Sequence, residues 1–397
     1  MNGHLSARQS AALSRLSPLT LSQISVGFAM IAAVWLTVAS VHGEVIALVA
    51  AIAVVVCGHA GRVLAGRRPA TVVEWGLIGC GMLAELIIYV AIAASVSLHM
   101  AGSQPGLAAT VLRGTFVASL GGPGADGVWQ LAIMAAIITP LLPMVDLCVH
   151  GPSLPGSRLR VFGPPGDVRL PVVCAADLLF GARAAFLAVF VLGLAALAAT
   201  VIDGNRQARD RGELRGYRGD GRISVWIGGW VGGRVPPLAP LVVGLLVTGV
   251  LTALGLRNQP GILLLTPVEA MLLAAFASWH PHDGRSDWVV PPLLHAAEYV
   301  FLAEIGFACR VYPPLTFAVV SAVGLRHLDL GYRVRGGLAA GIDRRALGWE
   351  GRMIVVGIAA AVGIAPVAYG ALAFYMWWRV LRDWLVGWSA RHPAVNR

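Results

Sequence analysis

Apolar runs long enough to cross a bilayer alternate with short polar breaks along the chain, beginning with Leu21–Val41. A hydrocarbon core about 30 Å thick takes about 17–25 apolar residues of helix to span. Each such run therefore predicts a transmembrane helix. Val45–Gly58 is a short second run, ending just before Arg62, Arg67 and Arg68. Val72–Ser97 is the third and holds Glu74 and Glu85; Val128–Val149 is the fourth. Residues 98–127 between them read as a loop rich in Gly, Ser and Thr. Residues 150–169, HGPSLPGSRLRVFGPPGDVR, read as loop from their Pro and Gly content. Leu170–Ile202 is long for one span and short for two. It predicts either an interfacial helix followed by one span or a tight hairpin.

The most polar segment, DGNRQARDRGELRGYRGDGR at 203–222, divides the chain into two halves. After it, Leu238–Leu256, Gly261–Ser278, Trp288–Ala308 and Pro313–Leu325 read as spans. Residues 326–352 form a second Arg-rich loop, and Met353–Trp384 is broken near Gly363–Pro366. The basic loops 60–69, 150–169, 203–236 and 326–352 belong on one, cytoplasmic, side. That requires 170–202 to return to the side it left, which favours the hairpin. The polar N-terminal stretch reads as a cytoplasmic arm rather than a signal peptide. The expectation is an all-α, polytopic integral membrane helical bundle of about ten transmembrane helices in two halves. Residues 1–206 form the first bundle, 207–236 an Arg/Gly-rich cytoplasmic linker, 237–390 the second membrane domain and 391–397 a tail.

Composition sharpens this picture. The chain is 57% hydrophobic and only 13% charged, with a mean hydropathy of +0.75. A soluble domain carries about 25% charged residues. Lipid is therefore the solvent, the plasma membrane the expected location, and no nucleic-acid partner is expected. The net charge of +10 comes without a single lysine. A GC-rich genome accounts for most of that bias, while particular arginines at a membrane surface suit phosphate oxygens. The five cysteines are scattered through apolar stretches and behave as small hydrophobes. The chain has no P-loop, no G-x-S-x-G, no H-E-x-x-H and no N-x-x-x-D-x-x-x-D.

Few polar residues stand where chemistry would need them. Glu85 lies in mid-span, where an acid either works or pairs with an arginine or hydroxyl inside the bundle. Glu74, eleven residues earlier, is about 16 Å away along a helix, too far to share a metal. His295 and Glu298 share a helix face, as in a carboxylate metal site or a hydrogen-bonded pair. Glu304 sits on another face of that helix and carries the same ambiguity. His280, His282 and Asp283 could hold a metal or a phosphate, or form a rigid turn. Arg326, His327, Asp329, Arg333 and Arg335 mark a helix end, reading as snorkelling side chains or as a lipid-headgroup site. Trp377, Trp378, Trp384 and Trp388, with Arg379 and Arg382, read as interfacial anchors.

The second half carries a resemblance. Asp287-Trp288 with Pro291-Pro292 is followed by Ala297-Glu298-Tyr299, Arg326-His327, Asp329, Tyr332-Arg333 and Glu350-Gly351-Arg352. This order over roughly 120 residues resembles the uncharacterised membrane domain that follows the CDP-alcohol phosphotransferase domain in large actinobacterial proteins. The first half is similar to that phosphotransferase domain, whose second span ends in D-x-x-D-G-x-x-A-R and whose third opens with G-x-x-x-D-x-x-x-D. Gly58, Arg62 and Gly76 match the frame, but Val54, Cys57, Cys80 and Ala84 replace its four aspartates. The family implies magnesium or manganese on those aspartates, because hard cations need anionic oxygen ligands. No metal or other cofactor is therefore expected here.

What the resemblance implies is the handling of a phosphate-linked alcohol or lipid-phosphate substrate at the cytoplasmic face, with membrane lipids, and at most a second copy, as partners. As an enzyme of divergent, transferase-like chemistry it would recruit Glu85, His295 and Glu298, with Gly58, Arg62, Gly76, Arg326, His327, Asp329, Arg333 and Arg352 on the phosphate. As a non-catalytic protein it would bind lipid headgroups or a partner enzyme. A transporter is a third reading and needs a continuous polar path.

Overall fold

The computed structural model describes residues 17–38, 40–65, 71–99, 107–108, 111, 115–119, 121, 124–149, 169–211, 221–231, 268–269, 271–272, 274–276, 287–335 and 347–389. They are helical, with no strand among them. The helices are α1 (Pro18–Thr37), α2 (Val41–Ala65), α3 (Thr71–Leu98), the single turn α4 (Phe116–Ser119), α5 (Gly124–Val149), α6 (Arg169–Phe180) and α7 (Ala182–Arg211). They continue as α8 (Arg222–Val231), a 3-10 turn at Asp287–Val289, α9 (Val290–Ala308), α10 (Pro313–Arg335), α11 (Gly348–Ala361) and α12 (Ala365–Ser389).

Five described helices are long and apolar enough to cross a membrane: Pro18–Thr37, Val41–Ala65, Val73–Leu98, Gly124–Cys148 and Ala182–Arg206. The expected span Leu238–Leu256 lies outside the described residues, as does most of Gly261–Ser278. Helices α9, α10 and α12 have 19, 23 and 25 residues, enough for about 28–38 Å. Composition, not length, keeps them from qualifying, because each carries charged residues. The chain forms two compact units, Met1–Val128 with Arg158–Gly193, and Trp129–Ser157 with Leu194–Arg397.

In the first unit, Ser17 caps α1 by accepting from the Thr20 amide at 3.1 Å, with Pro18 in the first turn. Helices α1, α2 and α3 pack on one another across small residues. Ala29, Ala32, Ala47 and Ala51 are fully buried, and Gly61 lets Leu77 and the Pro18 carbonyl approach α2. Close backbone approach of this kind is how helices associate in lipid. Helix α2 outruns the predicted Val45–Gly58 at both ends. Glu44 is buried at its start and Arg62 half-buried at its end, so polar residues belong to it.

Leu170–Ile202 resolves into a short helix and a long one. The twelve residues of α6 reach about 18 Å, too short to cross. Gly181, at φ +88, breaks the helix where a side chain would be strained. Backbone amides of Leu107 and Ala108 donate to Leu178 and Leu179 at the end of α6. A hairpin of two spans is therefore not formed. Helix α7 starts where Arg183 donates to the Gly124 carbonyl, at the beginning of α5. In the second unit, Leu197 and Val201 of α7 pack on the cluster that Val145 of α5 forms with Trp288.

In the second unit, Glu350 holds the first turn of α8. Its carboxylate accepts from the amides of Ile223 at 2.8 Å and Ser224 at 2.6 Å, and from the Ser224 hydroxyl. A negative group suits a helix N-terminus. Gly221, at φ +75, sits so close that a Cβ would collide with this carboxylate. Segment 207–236, read as linker, thus contains a helix anchored to residue 350. Glu350→Ala is expected to cost about 1–3 kcal/mol. Glu350→Gln, which keeps one acceptor, should cost less in the same denaturant titration.

Candidate functional site

Two polar networks lie side by side on α10, and each draws on different neighbours. The first joins α9, α10 and α11. Arg352 Nε donates to Glu298 Oε1 at 2.6 Å, and Nη2 donates to Oε2 at 3.0 Å. The same Nη2 lies 2.8 Å from His327 Nε2. A guanidinium only donates, so this imidazole nitrogen accepts and carries no proton. In neutral His327 the proton sits on Nδ1, which donates to the Tyr299 hydroxyl at 2.8 Å. That hydroxyl in turn donates to Met144 Sδ at 3.6 Å. His295 stacks on His327 with ring centroids 3.7 Å apart, and its buried Nδ1 has no hydrogen-bond partner.

These residues are brought together because they face inward on apolar helices. His295, Glu298 and Tyr299 occupy the buried face of α9. On either side of them, Leu294, Phe301, Leu302 and Ile305 fill the surrounding space. Tyr369 of α12 donates to the Leu302 carbonyl, and Trp377 to Ala318, which ties α12 to the same core.

His295, Glu298 and His327 offer ligand atoms within 4.8 Å of one another, close enough for one metal ion. Yet Arg352 Nη2 already stands where such an ion would sit, against both Glu298 Oε2 and His327 Nε2. An ion could enter only by displacing a buried guanidinium. The set is better described as a carboxylate–arginine–imidazole network whose cation is a side chain. The family's magnesium or manganese fits no better in the first unit. Val54, Cys80 and Ala84 are buried apolar positions there, Cys57 is half-buried, and none supplies a hard oxygen ligand.

The second network joins α10 to α12. Arg326 Nη1 donates to Asp329 at 2.8 Å and to Asp383 at 2.7 Å. Arg333 Nε donates to Asp329 at 2.7 Å, and Arg379 Nη2 to Asp383 at 3.4 Å. Arg382 approaches Asp383 from the exposed side at 3.6 Å. Four arginines therefore share two aspartates. Arg326 is fully buried, yet its Nε and Nη2 have no acceptor, and neither does the buried Nε of Arg379.

Of the residues singled out in the sequence, His295, Glu298, His327 and Arg352 meet in the first network. Arg326, Asp329 and Arg333 meet in the second. Glu85 belongs to the first unit, where it pairs with Arg169 at 2.8 Å and accepts from Tyr89 at 3.4 Å. Arg62 and Gly58 sit on successive turns of α2, also in the first unit. Gly76 is buried against Leu19, which a Cβ would hit. His280, His282 and Asp283 lie outside the described residues.

Three contributors escaped the sequence reading. Arg169 reads as loop in the sequence but opens α6, and it is fully buried. Arg379 reads as an interfacial anchor but is 5% exposed, and Asp383 had no assignment. The four-residue spacing of Arg379 and Asp383 was the available signal.

No curated protein and no solved structure matches the chain. The model of a family of unknown function, DUF5941, matches residues 211–396, a stretch that takes in α8 to α12 and, Met144 apart, both networks, and excludes Glu85 and Arg169.

Proposed function

We propose that this is an integral membrane protein that binds a phosphate-linked alcohol or lipid, with the phosphate held by Arg326 and Arg379. The observation that carries the reading is the shortage of acceptors in the second network. Arg326 Nε and Nη2 and Arg379 Nε are buried donors without partners. Leaving such groups unmet costs about 1–3 kcal/mol each, and more when charged. With four arginines on two aspartates, the missing partner is an acceptor and an anion. A phosphate monoester supplies both the oxygens and the charge. The arginines at the C-terminal end of α10, Arg326, Arg333 and Arg335, support a cytoplasmic face for the site by the positive-inside argument. Metal-dependent CDP transfer forms no part of the reading, because the frame's ligand positions are apolar.

The test is ligand binding by the detergent-purified protein. Dioctanoyl phosphatidate should bind and dioctanoyl phosphatidylcholine should not, and Arg326→Gln should weaken phosphatidate about tenfold, the worth of one charge-assisted hydrogen bond. Equal binding of both lipids, or an unaffected Arg326→Gln variant, would sink the reading. Magnesium should add nothing to any melting-temperature shift that CMP, CDP or a CDP-alcohol produces.

The non-catalytic form of this reading is favoured by a second observation. The two acids singled out in the sequence as catalytic candidates, Glu85 and Glu298, are engaged by buried arginines.

A further inference from the structure

The first unit has an acceptor shortage of its own, and it is of a different kind. Arg169 is fully buried and spends one nitrogen on its partner: Nη2 donates to both oxygens of Glu85, at 2.8 and 3.0 Å. Tyr89, one turn further along α3, donates to the same carboxylate. Arg169 Nε and Nη1 have no acceptor. The pair is already neutral, so charge is not what is missing. What remains are the protons of Nε and Nη1, pointing into the protein with nothing to meet them.

Their location adds further donors. Arg169 is the first residue of α6, and helical side chains lean toward the N-terminus of their own helix. The guanidinium is thereby carried toward the end at which the first-turn amides of Arg169, Leu170 and Val172 are left without intrahelical partners, Pro171 having no N–H. That end also carries the positive pole of the helix dipole. Glu85 lies midway along α3, Thr71–Leu98, so its partner Arg169 places the start of α6 at mid-helix depth. A helix that begins inside a bundle, rather than at its surface, is the arrangement by which broken helices hold anionic groups in membrane proteins.

We propose that the N-terminus of α6 and the free nitrogens of Arg169 bind a singly charged phosphate-ester oxyanion. A neutral Arg–Glu pair plus a helix dipole favours one negative charge, whereas the Arg326–Arg379 network favours two. The proposal does not rest on that network. Two sources offer the same chemistry, the phosphodiester of a lipid headgroup and that of a soluble molecule.

The experiment uses the full chain carrying Arg326→Gln, which weakens the other site, in non-ionic detergent with 15N-labelled arginine. Dihexanoyl phosphatidylglycerol and dimethyl phosphate are titrated separately. The Arg169 Nε–H resonance, assigned by its loss in Arg169→Lys, is expected to shift and saturate with at least one probe. Saturation by the lipid alone assigns a headgroup, and saturation by dimethyl phosphate assigns a soluble ester. The neutral double variant Glu85→Gln/Arg169→Gln keeps a hydrogen-bonded amide pair and should bind at least tenfold more weakly. An unmoved resonance with both probes, or unchanged binding by the folded double variant, overturns the proposal. Should the double variant fail to fold, the resonance alone decides. Failure here leaves the phosphatidate result at Arg326 untouched, so the two readings fall separately.

Discussion

Arg352→Leu is expected to destabilise the protein by about 3–5 kcal/mol, the cost of leaving a buried charge without its partner. Glu298 would keep its charge in a fully buried site while losing both hydrogen bonds to the guanidinium. His327 would lose the donor to Nε2, and with it the constraint that places the ring proton toward Tyr299. The double variant Glu298→Leu/Arg352→Leu should recover most of the loss, because removing both charges also removes their desolvation. Chemical denaturation of the four proteins in one detergent closes the cycle. If single and double variants are equally unstable, packing at these positions matters and the ion pair does not.

Glu85→Leu should cost a similar amount, about 3–5 kcal/mol, since Arg169 would be left charged and without any acceptor. The double variant separates this pair from the previous one. Arg352 donates to His327 as well as to Glu298, so losing both charges there also strips the imidazole of its donor. Arg169 already has two nitrogens unmet. Glu85→Leu/Arg169→Leu should therefore be at least as stable as the parent protein in ligand-free detergent. In an Arg326→Gln background, added phosphatidylglycerol should stabilise the protein that keeps Glu85 and Arg169 and leave the one lacking both unmoved, by mass action on the folded state. A double variant less stable than either single variant would mean that Arg169 has structural partners beyond Glu85.

The sequence displayed the apolar helices and hid the pairings between them. Helices α1, α3 and α5 were legible because long apolar runs have one stable outcome in lipid. The ends of α2 were not, since hydropathy discounts Glu44, His59 and Arg62 however they are buried or paired. The same blindness affects α9 and α12, whose charges are mostly turned inward. Spacing put His295 and Glu298 on one face of α9. It gave no hint that Arg352, from another helix, would take the carboxylate. Arg169 was the hardest case: a Pro- and Gly-rich stretch precedes it, so its local signal is that of a loop. Only a partner 84 positions away explains its burial.

The interleaving of the two units has a consequence for how the chain is made. The polypeptide passes from one unit to the other at 128/129, 157/158 and 193/194, so neither unit is a continuous stretch. The first can be completed only once residue 193 has left the ribosome. Helix α5 faces a longer delay: Val145 finds Trp288 only after everything between has been synthesised. At about 5–20 residues per second, that interval is on the order of ten seconds. Through it, the part of α5 that Trp288 covers stays open to lipid, with α7 the only other described neighbour of that cluster made in the meantime.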